Sequence, residues 1–132
     1  MQNPVGPEPS KKLRTGPLGE NLAAIYLQLQ GYHILEQNYR VGHLEVDLLA
    51  KKGSTLIVVE VKLRRSSYWG KPLAHISEKK KRDLETAGLT YWKRRRGQEK
   101  AIRFDVIGIE LGLGSLVLTH IDRAFSGTGR YR

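Results

Sequence analysis

The stretch TLIVVEVKLRRS, Thr55 to Ser66, constrains the fold more than any other part of the chain. Leu56, Ile57, Val58 and Val59 suit a strand at the centre of a buried sheet, where both faces are covered. Glu60 and Lys62 then enter around Val61 before the apolar run has ended. Side chains alternate along a strand, so both charges share a face with Leu56 and Val58. A core strand can keep a carboxylate and an ammonium on one face only where charge is paired or used.

The preceding segment HLEVDLLA reads as a second strand, joined to the first by the turn Lys51-Lys52-Gly53. Simple alternation puts Leu44, Val46, Leu48 and Ala50 on one face and His43, Glu45, Asp47 and Leu49 on the other. If the hairpin closes tightly around Lys52-Gly53, Asp47 falls opposite or diagonal to Glu60, roughly 5–8 Å away. Glu45, Asp47, Glu60 and Lys62 then gather on one face, an arrangement that a one-residue slip would destroy. Clustered carboxylates repel one another. A hard divalent cation relieves that repulsion, and Mg²⁺ takes oxygen ligands, commonly one or two carboxylates plus substrate phosphate. Asp47 and Glu60 meet that need, with the Val61 carbonyl as a third ligand. Lys62 is placed to orient an attacking water and stabilise charge on phosphorus. The alternative is a salt bridge at a sheet end, joining Glu60 to Lys62 or to a neighbour.

Around this hairpin the chain reads as a single domain. Gly16-Pro17 opens a helix with Pro17 in its first turn, and Gly31 stops it. Leu18, Leu22, Ile25, Tyr26 and Leu29 recur at helical spacing, and Ala23, Ala24 and Leu27 form a second apolar side, so this helix is expected to be covered almost all round. YHILEQNY is a short strand. Ser77 caps a long helix to about Arg95, and IRFDVIGIEL and SLVLTHID are two final strands about the glycines Gly112 and Gly114. The order α-β-β-β-α-β-β predicts an α/β domain, one mixed sheet flanked by helices, over residues 17–125. Residues 1–16 carry Pro4, Pro7, Pro9, Lys11, Lys12 and Arg14 and almost nothing apolar, and are expected to be a disordered basic arm. Residues 126–132 are expected to be a flexible tail.

The formal net charge of +10 favours polyanionic partners, nucleic acid before an acidic membrane surface. Clustering strengthens that reading, because KKKR at Lys79 to Arg82 and KRRR at Lys93 to Arg96 are runs. Cysteine is absent, which excludes disulfides and thiolate metal sites. No apolar run approaches the ~20 residues of a membrane span, and no signal segment is visible, so a cytoplasmic location is expected. His33, His43, His75 and His120 show no metal-ligand spacing, and only His43 falls near the proposed site.

The constellation resembles the PD-(D/E)xK nuclease superfamily, the restriction-endonuclease-like fold. More narrowly it is similar to the YraN family, akin to Holliday junction resolvases. The pieces that carry the likeness are GENLAAIYLQLQGYHILEQNYR, LEVDLLA, VVEVKLR, ISEKKKRDL, RFDVIGI and HIDRAF, in the family's order. By resemblance Asp47 is the first metal-binding acid, and Glu60 and Lys62 are the (D/E)xK pair. Glu20 is the acid that resolvase-like members add, and Glu45 matches an auxiliary acid. Leu44 stands where that family motif has glycine. A helix-dipole role also suits Glu20, although its side of the helix, shared with Ala24 and Leu27, points inward.

The resemblance implies a Mg²⁺-dependent endonuclease, with Mn²⁺ as a substitute, acting on DNA, branched or otherwise structured. It also places Lys80 beside substrate phosphate, while a snorkelling lysine is the structural alternative. Arg64, Arg65, Tyr68 and Trp69 form a basic-aromatic loop suited to a phosphate backbone or an unstacked base, or Trp69 caps the core. Lys79, Lys81 and Arg82 face solvent as further nucleic-acid contacts. Asp105 reads as a structural partner for an arginine. The competing functions are a nucleic-acid-binding module without turnover and a scaffold that docks by its basic surface. Symmetric cleavage of two strands would favour a homodimer.

Overall fold

The computed structural model describes residues 16–128, so residues 1–15 of the expected arm and 129–132 of the expected tail lie outside the described residues. The elements are α1 (Gly16–Leu29), β1 (His33–Val41), β2 (Leu44–Lys52), β3 (Thr55–Arg65), α2 (Glu78–Arg94), β4 (Ala101–Gly112) and β5 (Ser115–Phe125). This is the expected order. The strands form one five-stranded sheet in the sequence β1-β2-β3-β4-β5. Only β3 and β4 run parallel, which α2 permits by crossing between them, and every other neighbour is antiparallel.

The β2–β3 hairpin turns over Gly53-Ser54, where Gly53 takes φ 58°, and pairs Lys52 with Thr55 through to Leu48 with Val59. One helix covers each face. On the α1 face Ala23, Ala24 and Leu27 pack on Leu48, Ala50, Ile57, Val59 and Val61. On the other face Leu84, Ala87 and Tyr91 of α2 pack on Val46, Leu49, Leu56 and Val58. Ser77 caps α2 as expected, its hydroxyl accepting the Lys80 N–H at 3.1 Å. Gly31, at φ 90°, ends the turn after α1, and the Tyr32 N–H bonds back to the Leu27 carbonyl at 2.9 Å.

Two expectations are corrected. The helix α1 is not covered all round by its own chain. Its small residues face the sheet, where they allow close approach, and Leu18, Ile25 and Leu29 are left 56%, 54% and 79% exposed. Strict alternation also fails in β2. Val46 and Leu49 pack on the α2 face while Leu48 and Ala50 pack on the α1 face, so the strand changes parity at Asp47. Opposite this point β1 places Asn38 in the left-handed region, at φ 55°. Gln37 pairs with Leu48 and Tyr39 with Val46, and the rung between them is missing. An irregularity of this kind bends a strand and re-aims a side chain.

Candidate functional site

The side chain re-aimed by the break is Asp47. Past Leu48 and Val59 the β2–β3 pairing stops, although β3 stays on β4 as far as Arg65. At the point where the strands part, Asp47 Oδ2 accepts the Val61 N–H at 2.8 Å. A carboxylate therefore replaces the backbone carbonyl that the next rung would have supplied. It satisfies a buried donor and is held between the two faces of the sheet.

Carboxylates close on it from both sides. Glu20 of α1 is 8% exposed, and one oxygen each from Glu20, Glu45 and Asp47 lie within 4.8 Å of one another. Glu60 approaches from the α2 face, 7% exposed, with Oε1 3.8 Å from Lys80 Nζ. Burial, followed by the charges of Asp47 and Glu45, pushes the Glu20 carboxyl up to about 7. The Asp47 carboxyl also rises to about 7, through burial and then the charge of Glu60, against the lowering effect of the Val61 N–H. The expectation that Glu45, Asp47, Glu60 and Lys62 share one face is thus corrected. Glu45 joins Glu20 on the α1 side, Glu60 and Lys62 stand on the α2 side, and Asp47 lies between them because β2 changes parity there. Among the described residues the compact group of three acids is Glu20, Glu45 and Asp47, not a set containing Glu60.

On the α2 side the site opens into a cleft of about 390 Å³, with Glu60, Lys62, Arg64, Lys71, His75 and Lys80 among its walls. The Lys62 ammonium donates to the His75 carbonyl, while Glu60 pairs with Lys80, a neighbour on α2. Arg64 is committed to structure. It pairs with Glu110 at 3.1 Å, donates to the Lys71 carbonyl at 2.8 Å and lies over the Tyr68 ring. Arg65 is half-buried, and Trp69, at 97% exposure, does not cap the core. Lys79 pairs with Asp83 at 2.8 Å and Lys81 with Glu78 at 3.2 Å, both along the surface of α2, while Arg82 is exposed.

Lys71 and His75 are cleft residues that sequence reasoning did not single out. Their only signal is membership of the loop that leads from β3 to the α2 cap. His43 is exposed and sits near Asp83, and His75 lines the cleft, so His43 is not the only histidine near the site. Asp105 is the structural partner it was read to be. Its carboxylate takes Arg103 at 2.7 and 2.9 Å, His120 at 2.7 Å and the Arg123 N–H at 3.1 Å. No helix among the described residues is long and apolar enough to cross a membrane.

Comparison with known proteins gives one consistent family. The profile described as "Uncharacterised protein family UPF0102" matches residues 19–109. A UPF0102 protein of Chlorobium chlorochromatii is 45% identical, over 89% of this chain and 95% of the relative. A UPF0102 protein of Syntrophus aciditrophicus is 42% identical over 77% and 80%. One from Anaeromyxobacter dehalogenans is 35% identical over 98% and 97%. The chain belongs to the UPF0102 family.

Proposed function

We propose that this member of the UPF0102 family is a Mg²⁺-dependent endonuclease that hydrolyses phosphodiester bonds of DNA, branched or structured substrates included. One observation carries the reading. Asp47 sits where β2 and β3 part, crowded by Glu20 and Glu45 on one side and Glu60 on the other, beside a cleft walled by lysines.

The donor set fits a hard cation. All its ligand atoms are carboxylate oxygens, and two of the acids are held near neutrality by burial and mutual repulsion, which a divalent charge would relieve. Mg²⁺, or Mn²⁺ in its place, would be held by Asp47 with Glu20, Glu45 and Glu60. When bound it supplies Lewis-acid polarisation and a more acidic water. Val61, expected to offer its carbonyl, fixes the Asp47 carboxylate through its N–H. Lys62 is anchored on the His75 carbonyl, which holds its ammonium at the cleft wall where phosphate charge develops. Lys80 pairs with the buried Glu60 at 3.8 Å, and a cation at the acids would take over that charge and release Lys80 to a substrate phosphate. Trp69 stands in the open on the loop between the cleft residues Tyr68 and Lys71, suited to an unstacked base.

A nucleic-acid-binding module without turnover is the second reading. It is favoured by the partners that Glu60 and Lys62 already have, Lys80 and the His75 carbonyl. Labelled branched, single-stranded and duplex DNAs, incubated with Mg²⁺, Mn²⁺ or EDTA, separate the two. Metal-dependent cleavage supports the nuclease, and tight binding with intact DNA in every lane supports the module.

A further inference from the structure

The outward side of α1 carries Leu18, Leu22, Ile25 and Leu29 at i, i+4, i+7 and i+11, opposite the stripe that packs on the sheet. That spacing is the seam of a helix pair. Leu22 is half-buried against the α1-side core, and the other three side chains are more than half exposed. The apolar surface continues onto the same face of the sheet. Leu118 is half-buried there against the α1-side core, and Leu116, 49% exposed, lies directly across from Leu111.

Charge distribution indicates the occupant. The chain has 23 lysines and arginines, yet none falls between Thr15 and Tyr39 or between Phe104 and Asp122. Those cation-free segments are α1 with β1 as far as Tyr39, and the β4–β5 hairpin, and Tyr26 joins them through its hydrogen bond to His120 at 3.0 Å. Lys52 and Arg103 close on Tyr32 at the far end of α1, and Arg65, paired with Leu111, stands at the sheet margin. A surface without cations is of no use for holding nucleic acid. It is, however, a surface on which two chains of charge +10 can meet with little local repulsion. A heptad-spaced stripe is also self-complementary about a two-fold axis.

We propose that two copies of this chain form a dimer by packing α1 against α1, with the Leu116 and Leu118 surface at the margin of the interface. The clefts lie on the opposite face of each sheet and stay open. This inference is independent of the nuclease reading.

Sedimentation equilibrium of the full chain tests it, together with the double variant Ile25→Lys/Leu29→Lys and the control Leu113→Lys, whose exposed turn position lies off the stripe. Wild type and control should have the mass of two chains, the double variant that of one with unchanged circular dichroism. Higher salt should tighten the wild-type dimer by screening the net charge. Because the chain lacks cysteine, Ile25→Cys gives a second measurement. Oxidation should yield a covalent dimer from Ile25→Cys and little from Leu113→Cys. A wild-type protein that stays monomeric at hundreds of micromolar overturns the proposal. So does a folded double variant that remains dimeric, or equal cross-linking at the two cysteine positions.

Discussion

Asp47 Oδ2 takes the Val61 N–H at 2.8 Å in the place of the next rung between β2 and β3. The bond makes the carboxylate structural as well as chemical, and it determines which substitutions are informative. Asp47→Ala leaves a buried donor without its acceptor, at a cost of about 1–3 kcal/mol. Asp47→Asn keeps an acceptor oxygen and removes only the charge. Chemical denaturation should therefore find the Ala variant clearly less stable and the Asn variant at or above wild type. Equal losses in both would mean that the Val61 bond contributes little.

The raised carboxyls of Glu20 and Asp47 set a pH dependence. Both titrate near 7 in the folded chain, against 4.5 and 3.8 as reference values, so the folded state binds protons more tightly. Stability of the metal-free protein should then fall as pH rises from about 4 through 7. A bound divalent cation should offset that loss, raising Tm more at pH 8 than at pH 5.5. Each kcal/mol of relieved repulsion corresponds to about 4 °C for a domain of this size. A Mg²⁺ effect that is absent, or larger at the lower pH, would count against these acids as ligands.

Asp105 predicts the opposite sign. Burial alone would raise its carboxyl, but the hydrogen bonds from His120 and Arg103 outweigh burial and hold it below the usual range. Its contribution is present above the unfolded carboxylate value and lost as pH falls through the lower folded one. Asp105→Ala leaves the Arg103 guanidinium without its buried partner and should cost about 3–5 kcal/mol in urea titrations at pH 7. A loss near zero would show that solvent substitutes for the carboxylate.

Much of this architecture was legible because hydrophobic period and turn residues agree along the chain. The alternation of β2 and β3, Gly53 and the Ser77 cap place their elements, and pairing of Leu48 with Val59 follows from the turn position. What alternation could not convey is the parity change at Asp47. It depends on the left-handed Asn38 in the neighbouring strand, a tertiary event with no period of its own. Helix α1 misled for another reason. Leucines outrank alanines as apolar residues, but here Ala23 and Ala24 join Leu27 against the sheet, and Leu18, Ile25 and Leu29 are turned outward. Glu20 was readable as inward-facing, whereas the contact of Lys62 with the His75 carbonyl depends on a loop conformation without sequence period.

Gly88 tests the packing of α2 over β3. A methyl group there would come within 2.7 Å of Val58 Cγ2, in a core where valine has little rotameric freedom. Gly88→Ala should therefore lose about 1–3 kcal/mol despite its better helix propensity. A stabilised Gly88→Ala protein would show that the helix can lift away from the sheet without cost.

Nucleic-acid binding should separate the two groups of lysines. Lys79 and Lys81 are paired with acids of their own helix, while Lys62 and Lys80 line the cleft beside Glu60. Affinity should fall steeply with salt, and replacing Lys79, Lys81 and Arg82 together by alanine should flatten the salt slope by ~0.9 for each phosphate that is no longer neutralised. The weakening should be similar for every sequence tested. Binding that is indifferent to salt would remove nucleic acid as the partner.

The central claim is that Asp47 belongs to a metal-dependent phosphodiesterase centre, and cleavage of labelled branched DNA by wild type, Asp47→Asn and Lys62→Ala tests it most directly. Each protein should first be shown to be folded, with metal binding measured on the same samples. Wild type should cut with Mg²⁺ and not with EDTA. Asp47→Asn should bind Mg²⁺ more weakly, cut at least ~100-fold more slowly and hold DNA no less tightly without metal. Lys62→Ala should retain metal binding and still lose cleavage, by a similar factor, if its ammonium stabilises transition-state charge. Cleavage at the wild-type rate by folded Asp47→Asn protein would contradict the account.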